Sequence, residues 1–261
     1  MKYWLIAVVS LFIVYVLANF SYAKIDPKTC VAAWFFDEEG VDEERDISGN
    51  ENHSIVKGDP KWEEGKFGKA LEYDGLDDNV EAPDLHPHIK DGFTVTFWLN
   101  KIDQDLSNRW LFGSFSGWSP GAASFLIWKD EDNRNNLIFG IQGEKTGPAS
   151  CSFPDLSFEE WNHIAASYDK SQLRLYVNGT QVSTRGFSEE VSSSTNPWYI
   201  GYNPSHQIEG LIDEVAVFNL ALSADDIGII MDEGLERTLG ITAVDPSGKL
   251  AVAWGSVKRS R

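Results

Sequence analysis

The chain has 261 residues, 40 Asp plus Glu against 22 Lys plus Arg, a formal net charge of -18, and 42% hydrophobic residues with 13% aromatics. That acidity repels phosphate backbones and argues against nucleic-acid binding through a basic footprint, while the apolar and aromatic content supplies more burial than disordered chains carry. Two cysteines are too few for a disulfide-dense scaffold or a four-thiolate zinc site.

Residues 1–23 read as a secretion signal. Lys2 is their one charge, residues 4–18 form an apolar run, and Ser21 and Ala23 supply the small residues a signal peptidase inspects. The run is shorter than the ~20 residues of a spanning helix. The mature chain is therefore expected to be secreted, periplasmic or at the cell surface, without membrane contact; a retained N-terminal anchor is the alternative. Cys30 lacks the small and aliphatic residues that precede a lipid-modified cysteine. Export permits a disulfide. Cys30 and Cys151 either form one, worth roughly 4 to 5 kcal/mol in a chain-entropy account, or stand as two buried thiols.

From Cys30 onward, short stretches of β-branched and aromatic residues alternate with Gly, Asn, Asp, Pro and Ser. Residues 93–99 alternate at period two, with Phe93, Val95, Phe97 and Leu99 on one face. Residues 124–128, 137–141, 163–168 and 173–177 read as further strands, and Asn178-Gly179 closes a hairpin because that pair reaches positive φ cheaply. Trp161, Ile164 and Tyr168 suit a strand whose rings fill the space between two sheets, and Trp34 and Trp98 are expected in the core. One short helix is predicted near the C-terminus, capped by Ser223, running through Ile227, Ile230 and Met231 and ending near Gly234. Residues 241–244 and 249–254 flank a turn and read as a terminal hairpin, followed by a tail at 258–261. The pattern predicts one all-β domain over residues 30–240, a two-sheet antiparallel sandwich, with residues 241–261 outside it.

Six blocks carry a resemblance. They are Trp34-Phe35-Phe36-Asp37-Glu38; Asp46-Ile47-Ser48-Gly49-Asn50-Glu51-Asn52-His53; Gly65 through Asp78; Phe93 through Trp98; Trp161 through Asp169 with Leu175-Tyr176-Val177-Asn178-Gly179; and Gly210 through Asn219. In this order they resemble the laminin-G-like jelly-roll group of the concanavalin A-like lectin and glucanase superfamily. The resemblance implies a concanavalin A-like jelly roll and a structural calcium, Ca2+, where the first and last strands meet. Asp37 and Asp213 would supply carboxylates to that ion and the Asn52-His53 turn carbonyl oxygens, with Asp46 and Asn50 as secondary candidates; such oxygen ligands suit a hard cation.

The superfamily includes glucanases, which place carboxylates on one strand as Glu-x-Asp-x-Glu or Glu-x-Asp-x-x-Glu. The nearest approach here, Glu72-Tyr73-Asp74-Gly75-Leu76-Asp77, is broken by Gly75 and ends on Asp77. No Gly-x-Ser-x-Gly is present, and neither cysteine has an adjacent histidine. His163 is expected to be a hydrogen-bonded structural residue. The expectation is thus a secreted, non-catalytic recognition module for carbohydrate or extracellular protein surfaces. A purely structural or adhesive domain is the alternative, and a glycoside hydrolase of the same fold comes third. Trp118 is the candidate stacking platform, with Arg109, Tyr202 and His206 as companions on other loops. Asn52-His53-Ser54 and Asn178-Gly179-Thr180 fit the glycosylation pattern.

Overall fold

A computed structural model of the chain describes residues 25–102, 109–114, 125–130, 136–145, 147–157, 159–191, 196–202 and 207–241. The first strands are β1 (Cys30–Trp34), β2 (Glu43–Glu44), β3 (Ser54–Lys57), β4 (Lys61–Glu64), β5 (Lys69–Asp74), β6 (Asn79–Ala82) and β7 (Phe93–Asn100). Then come β8 (Arg109–Ser114), β9 (Phe125–Lys129), β10 (Leu137–Gln142), β11 (Pro148–Phe153) and β12 (Asn162–Tyr168). The last are β13 (Gln172–Val177), β14 (Thr180–Gly186), β15 (Trp198–Ile200) and β16 (Glu209–Phe218), followed by helix α1 (Ala224–Leu239). One sheet runs β14-β13-β12-β7-β16-β5-β4, with β1 also on β16; the other runs β11-β10-β9-β8-β15-β6-β3-β2. All pairings are antiparallel, as in a jelly roll. The hairpin between β13 and β14 turns at Asn178, which has φ 49° as the Asn-Gly pair requires.

Inward-facing residues of both sheets form one core that includes Trp34, Phe36, Phe93, Phe97, Phe112, Phe125, Phe139, Tyr168 and Trp198. Most of these rings meet edge to face or tilted, with Phe125 4.6 Å from Trp198 and 5.1 Å from Phe93 between centroids, while Phe97 and Phe112 stack. A second apolar layer lies on the outer face of the first sheet, where Ala33, Phe35, Ala165, Tyr176, Ala216 and Phe218 are covered by Ile227, Ile230, Leu235 and Leu239 of α1. The helix begins on a full capping box between Ser223 and Asp226. Gly234 breaks it with φ 76° and ψ 163°, which is the end the sequence predicted. The chain then resumes helix to Leu239, because the Glu214 carboxylate accepts the Leu235 amide at 2.5 Å and caps the second segment.

One expectation is corrected and two others are refined. Trp161 precedes β12 and stays half-buried rather than filling the core. Trp98 is buried on the outer face of the first sheet, since it stands opposite Asp213 and His163, out of phase with inward Phe97 and Leu99. Cys30 and Cys151 are separate free thiols. Cys30 sits under α1 and Cys151 lies on β11 of the other sheet against the inter-sheet core. Burial pushes the Cys151 thiol up to about 11 and Cys30 higher still. The predicted signal segment and, apart from Ile241, the terminal hairpin lie outside the described residues. Among the described residues no helix is long and apolar enough to cross a membrane.

Candidate functional site

Two features of the first sheet concentrate chemistry. The first is a seam on one edge of β16. That edge pairs with β5 as far as Ile212 and with β1 from Val215 onward, leaving Asp213 and Glu214 between the two partners. Register with β7 shifts at the same place, and Glu214 has φ 52°. A short strap, residues 65–68, crosses over the seam. Asp213 Oδ2 accepts the amides of Lys66 at 2.7 Å and Phe67 at 3.1 Å, and Asp37 Oδ1 accepts the Lys69 amide at 2.7 Å. Both glycines of the strap are forced by these contacts. A Cβ on Gly65 would stand 2.7 Å from Asp213 Oδ2, and one on Gly68, where φ is +60°, would stand 2.0 Å from Asp37 Oδ1. Lys66 Nζ lies 4.4 Å above the Trp98 ring, with Phe67 edge-on to the same ring.

Glu44 joins the seam by accepting the amide of Phe36, which holds that residue at φ 62°. Burial raises Asp213 to about 8, with secondary contributions from Glu214 and Asp37. Glu44 and Glu214 rise to about 7, again chiefly by burial and then by neighbouring carboxylates, and partial burial raises Asp37. One oxygen each of Asp213 (Oδ1) and Glu44 (Oε2) is buried without a hydrogen-bond partner.

Of the predicted calcium ligands, Asp37 and Asp213 come together here. Asn52 and His53 instead belong to a closed turn that clamps β1. Asp46 accepts the amides of Ala33, Ser48 and Asn52, and its own amide donates to His53 Nδ1. The Asn52 carbonyl accepts Trp34 Nε1, while the Asn50 and Asn52 side chains donate to carbonyls of β1. The unpartnered oxygens of Asp213 and Glu44 are of the kind a hard cation takes. Among the described residues, only Asp59, Asp77 and Asp78 bring three ligand oxygens within 4.8 Å of one another. Both oxygens of buried Asp78 already accept backbone amides, from Asp59 and Asp74.

The second feature is a cleft on the part of the same outer face that α1 leaves uncovered. Lys61, Glu72, Leu211 and Asn100 stand in register across β4, β5, β16 and β7. They alternate with Trp62, Leu71, Tyr73, Ile212 and Leu99, which pack inward, so the four form a floor roughly 14 Å wide at normal strand spacing. Two contiguous cavities of ≈ 370 and ≈ 480 Å³ lie over this floor and share Glu72 and Lys101. Trp161 and Asn100 line the first, Asp74 and Glu209 the second. Asn100 is only 9% exposed, and its Oδ1 has no donor.

The other predicted residues lie elsewhere. Arg109 is buried within β8 of the second sheet rather than displayed on a loop. Tyr202 follows β15, also in the second sheet, and its ring packs 4.5 Å from Tyr199. Trp118 and His206 lie outside the described residues. His163 is a buried structural residue beside Trp98, held neutral because burial pushes it down to about 3, with Lys66 adding to the effect. Both glycosylation motifs are engaged structurally: Asn52 Nδ2 donates to the Val31 carbonyl and Asn178 Nδ2 to Asn162 Oδ1. Sequence reasoning missed Glu44, Glu214, Asn100 and Trp161 as site residues. The adjacent acids Asp213-Glu214 inside an apolar strand were a readable signal for Glu214; nothing comparable marked Glu44.

A laminin G family model, described as concanavalin A-like lectin/glucanases superfamily, matches residues 74–228. Pappalysin-1 of Homo sapiens is 24% identical over 191 residues, and the Mus musculus protein matches equally; the match covers 66% of this chain and 11% of each of them. The binding domain of botulinum neurotoxin DC in complex with SialylT superposes with a TM-score of 0.64 at 16% identity, covering 85% of this chain and 55% of that one. The same binding domain in complex with rat synaptotagmin II gives 0.63 at 16%, covering 86% and 55%. The chain thus spans about half the length of these structures and about a tenth of the pappalysins. At such identities the structures share its fold, and the family match extends over more than half of the sequence. The chain belongs to the concanavalin A-like lectin/glucanases superfamily.

Proposed function

We propose that the chain is an exported, non-catalytic recognition module that takes a glycan in the cleft over β4, β5, β16 and β7. The observation that carries this reading is the pairing of a half-buried indole, Trp161, with a sunken amide, Asn100, whose Oδ1 lacks a donor. An aromatic face suits the apolar face of a sugar ring, and an unmet acceptor beside it suits a hydroxyl. Similar binding domains in complex with SialylT and with rat synaptotagmin II support recognition, of a glycan or a protein, over catalysis. The strand geometry supports the same choice. Of the acids in the glucanase-like stretch only Glu72 and Asp74 lie on β5; the strand ends there, Leu76 projects into solvent, and Asp77 joins the turn group with Asp59 and Asp78.

A structural calcium at the seam belongs to the same proposal. Asp37 and Asp213 would hold it, with Glu44 and Glu214 adding oxygens, and the ion would neutralise carboxylates that burial otherwise leaves costly to ionise. Its role would be to fix β1, β16 and the strap, which shape one end of the cleft floor. Glycan-array binding by the intact chain, lost in Trp161→Ala, tests the recognition reading. Binding that survives Trp161→Ala unchanged would remove the cleft from the account.

A further inference from the structure

The cleft walls are strongly unbalanced in charge. Glu63 and Glu64 come from edge strand β4, Glu72 and Asp74 from β5 and Glu209 from β16, against Lys61 and Lys101. Among the described residues none of these seven side chains takes part in an ion pair, so the carboxylates keep acceptor capacity toward the cleft. Glu72 is placed where both cavities meet, half-buried between Lys61 and Leu211 in register.

We propose that the cleft selects a positively charged glycan, an oligosaccharide of amino sugars with free amines such as glucosamine. The inference rests on the reading of the cleft as a glycan site and adds its ligand class. A neutral saccharide would displace water from the carboxylates with only neutral hydroxyls to replace it. An ammonium group answers them with charge-assisted hydrogen bonds. Walls of one sign in a recess also raise the local concentration of cations before contact. The buried Asn100 Oδ1 asks for one more donor at the floor, which an ammonium or a ring hydroxyl supplies. Trp161 then accepts either the apolar face of a pyranose or the ammonium itself. The indole and amide at one end, joined by a floor of four strands to carboxylates at the other, suit a chain of rings better than a basic peptide, which would need the carboxylates alone.

Calorimetric titration of the intact chain with a glucosamine oligomer, its fully N-acetylated counterpart of equal length, and a neutral glucose oligomer tests the inference. The expected result is that the glucosamine oligomer binds about tenfold or more tightly than either neutral one, and that the preference shrinks at high salt. Glu72→Gln and Glu209→Gln, neither of which removes an apolar contact, should each cut the preference by about fivefold without lowering the melting temperature. Equal binding of the three oligomers would overturn charge selection while leaving the glycan site standing. Binding of oligolysine, weakened by Glu72→Gln, with no binding of the glucosamine oligomer would overturn the amino-sugar assignment. No binding of any probe would overturn both the assignment and the glycan reading beneath it.

Discussion

Asp213→Asn tests the seam in quantitative terms. The wild-type side chain is fully buried, accepts the Lys66 and Phe67 amides through Oδ2, and has its carboxyl raised from 3.8 to about 8. In calcium-free solution the native state therefore holds a proton that the unfolded state releases near pH 4. The unfolded state gains relative stability as pH rises, so the contribution of Asp213 is fully present below about pH 4 and is lost progressively up to about pH 8. The whole span corresponds to about 6 kcal/mol at 1.36 kcal/mol per unit; relaxation and water penetration around a buried carboxylate bring the realised value to roughly 2 to 3 kcal/mol. Asparagine keeps an oxygen for the two amides and cannot ionise. Urea unfolding followed by tryptophan fluorescence, in chelator at pH 4 and pH 8, should show wild type losing roughly 2 kcal/mol more than Asp213→Asn between those values. Glu44 and Glu214, raised to about 7, act with the same sign and leave a residual slope in the variant. Added calcium should restore wild type at pH 8 and do little for Asp213→Asn. Parallel pH profiles for the two proteins would refute the burial argument, and a wild type indifferent to both chelator and calcium would refute the metal.

Cys30 and Cys151 should both be alkylated in the denatured chain without prior reduction, giving two additions by mass, whereas native Cys30 under α1 should resist the reagent. A mass unchanged until reductant is added would restore the disulfide. Ser223→Ala removes the side chain that caps the Asp226 amide and should destabilise the protein by about 1 kcal/mol in urea unfolding. A loss below a few tenths would mean that packing against Phe218 and Ala216 holds the helix without its cap.

The fold was readable because its signals are local. The period-two run at Phe93 through Leu99, the Asn178-Gly179 turn and the Ser223 cap each impose one conformation on a few residues, and the structure has all three. The site was less readable because it depends on which face of a strand is covered. Trp161 and Trp98 look alike in sequence, two tryptophans beside apolar strands. α1 covers only part of the outer face, the strap seals Trp98, and Trp161 is left at an open cleft. The seam was harder to read for a related reason. Asn52 and His53 follow the first strand closely in sequence, but their polar atoms are consumed in clamping β1; Glu44 reaches the seam through a strand end that no residue pattern marks, whereas the paired acids Asp213-Glu214 inside an apolar strand did mark Glu214.

The central claim is that recognition occurs on the uncovered face of the first sheet and not on the loops where the sequence suggested it. The most direct measurement is the affinity of the best array glycan for Trp161→Ala and Asn100→Ala in the cleft, compared with Tyr202→Ala beside the second sheet. The account predicts a weakening of about tenfold or more for each cleft variant and an unchanged affinity for Tyr202→Ala. Full binding by both cleft variants, with loss in Tyr202→Ala, would contradict it.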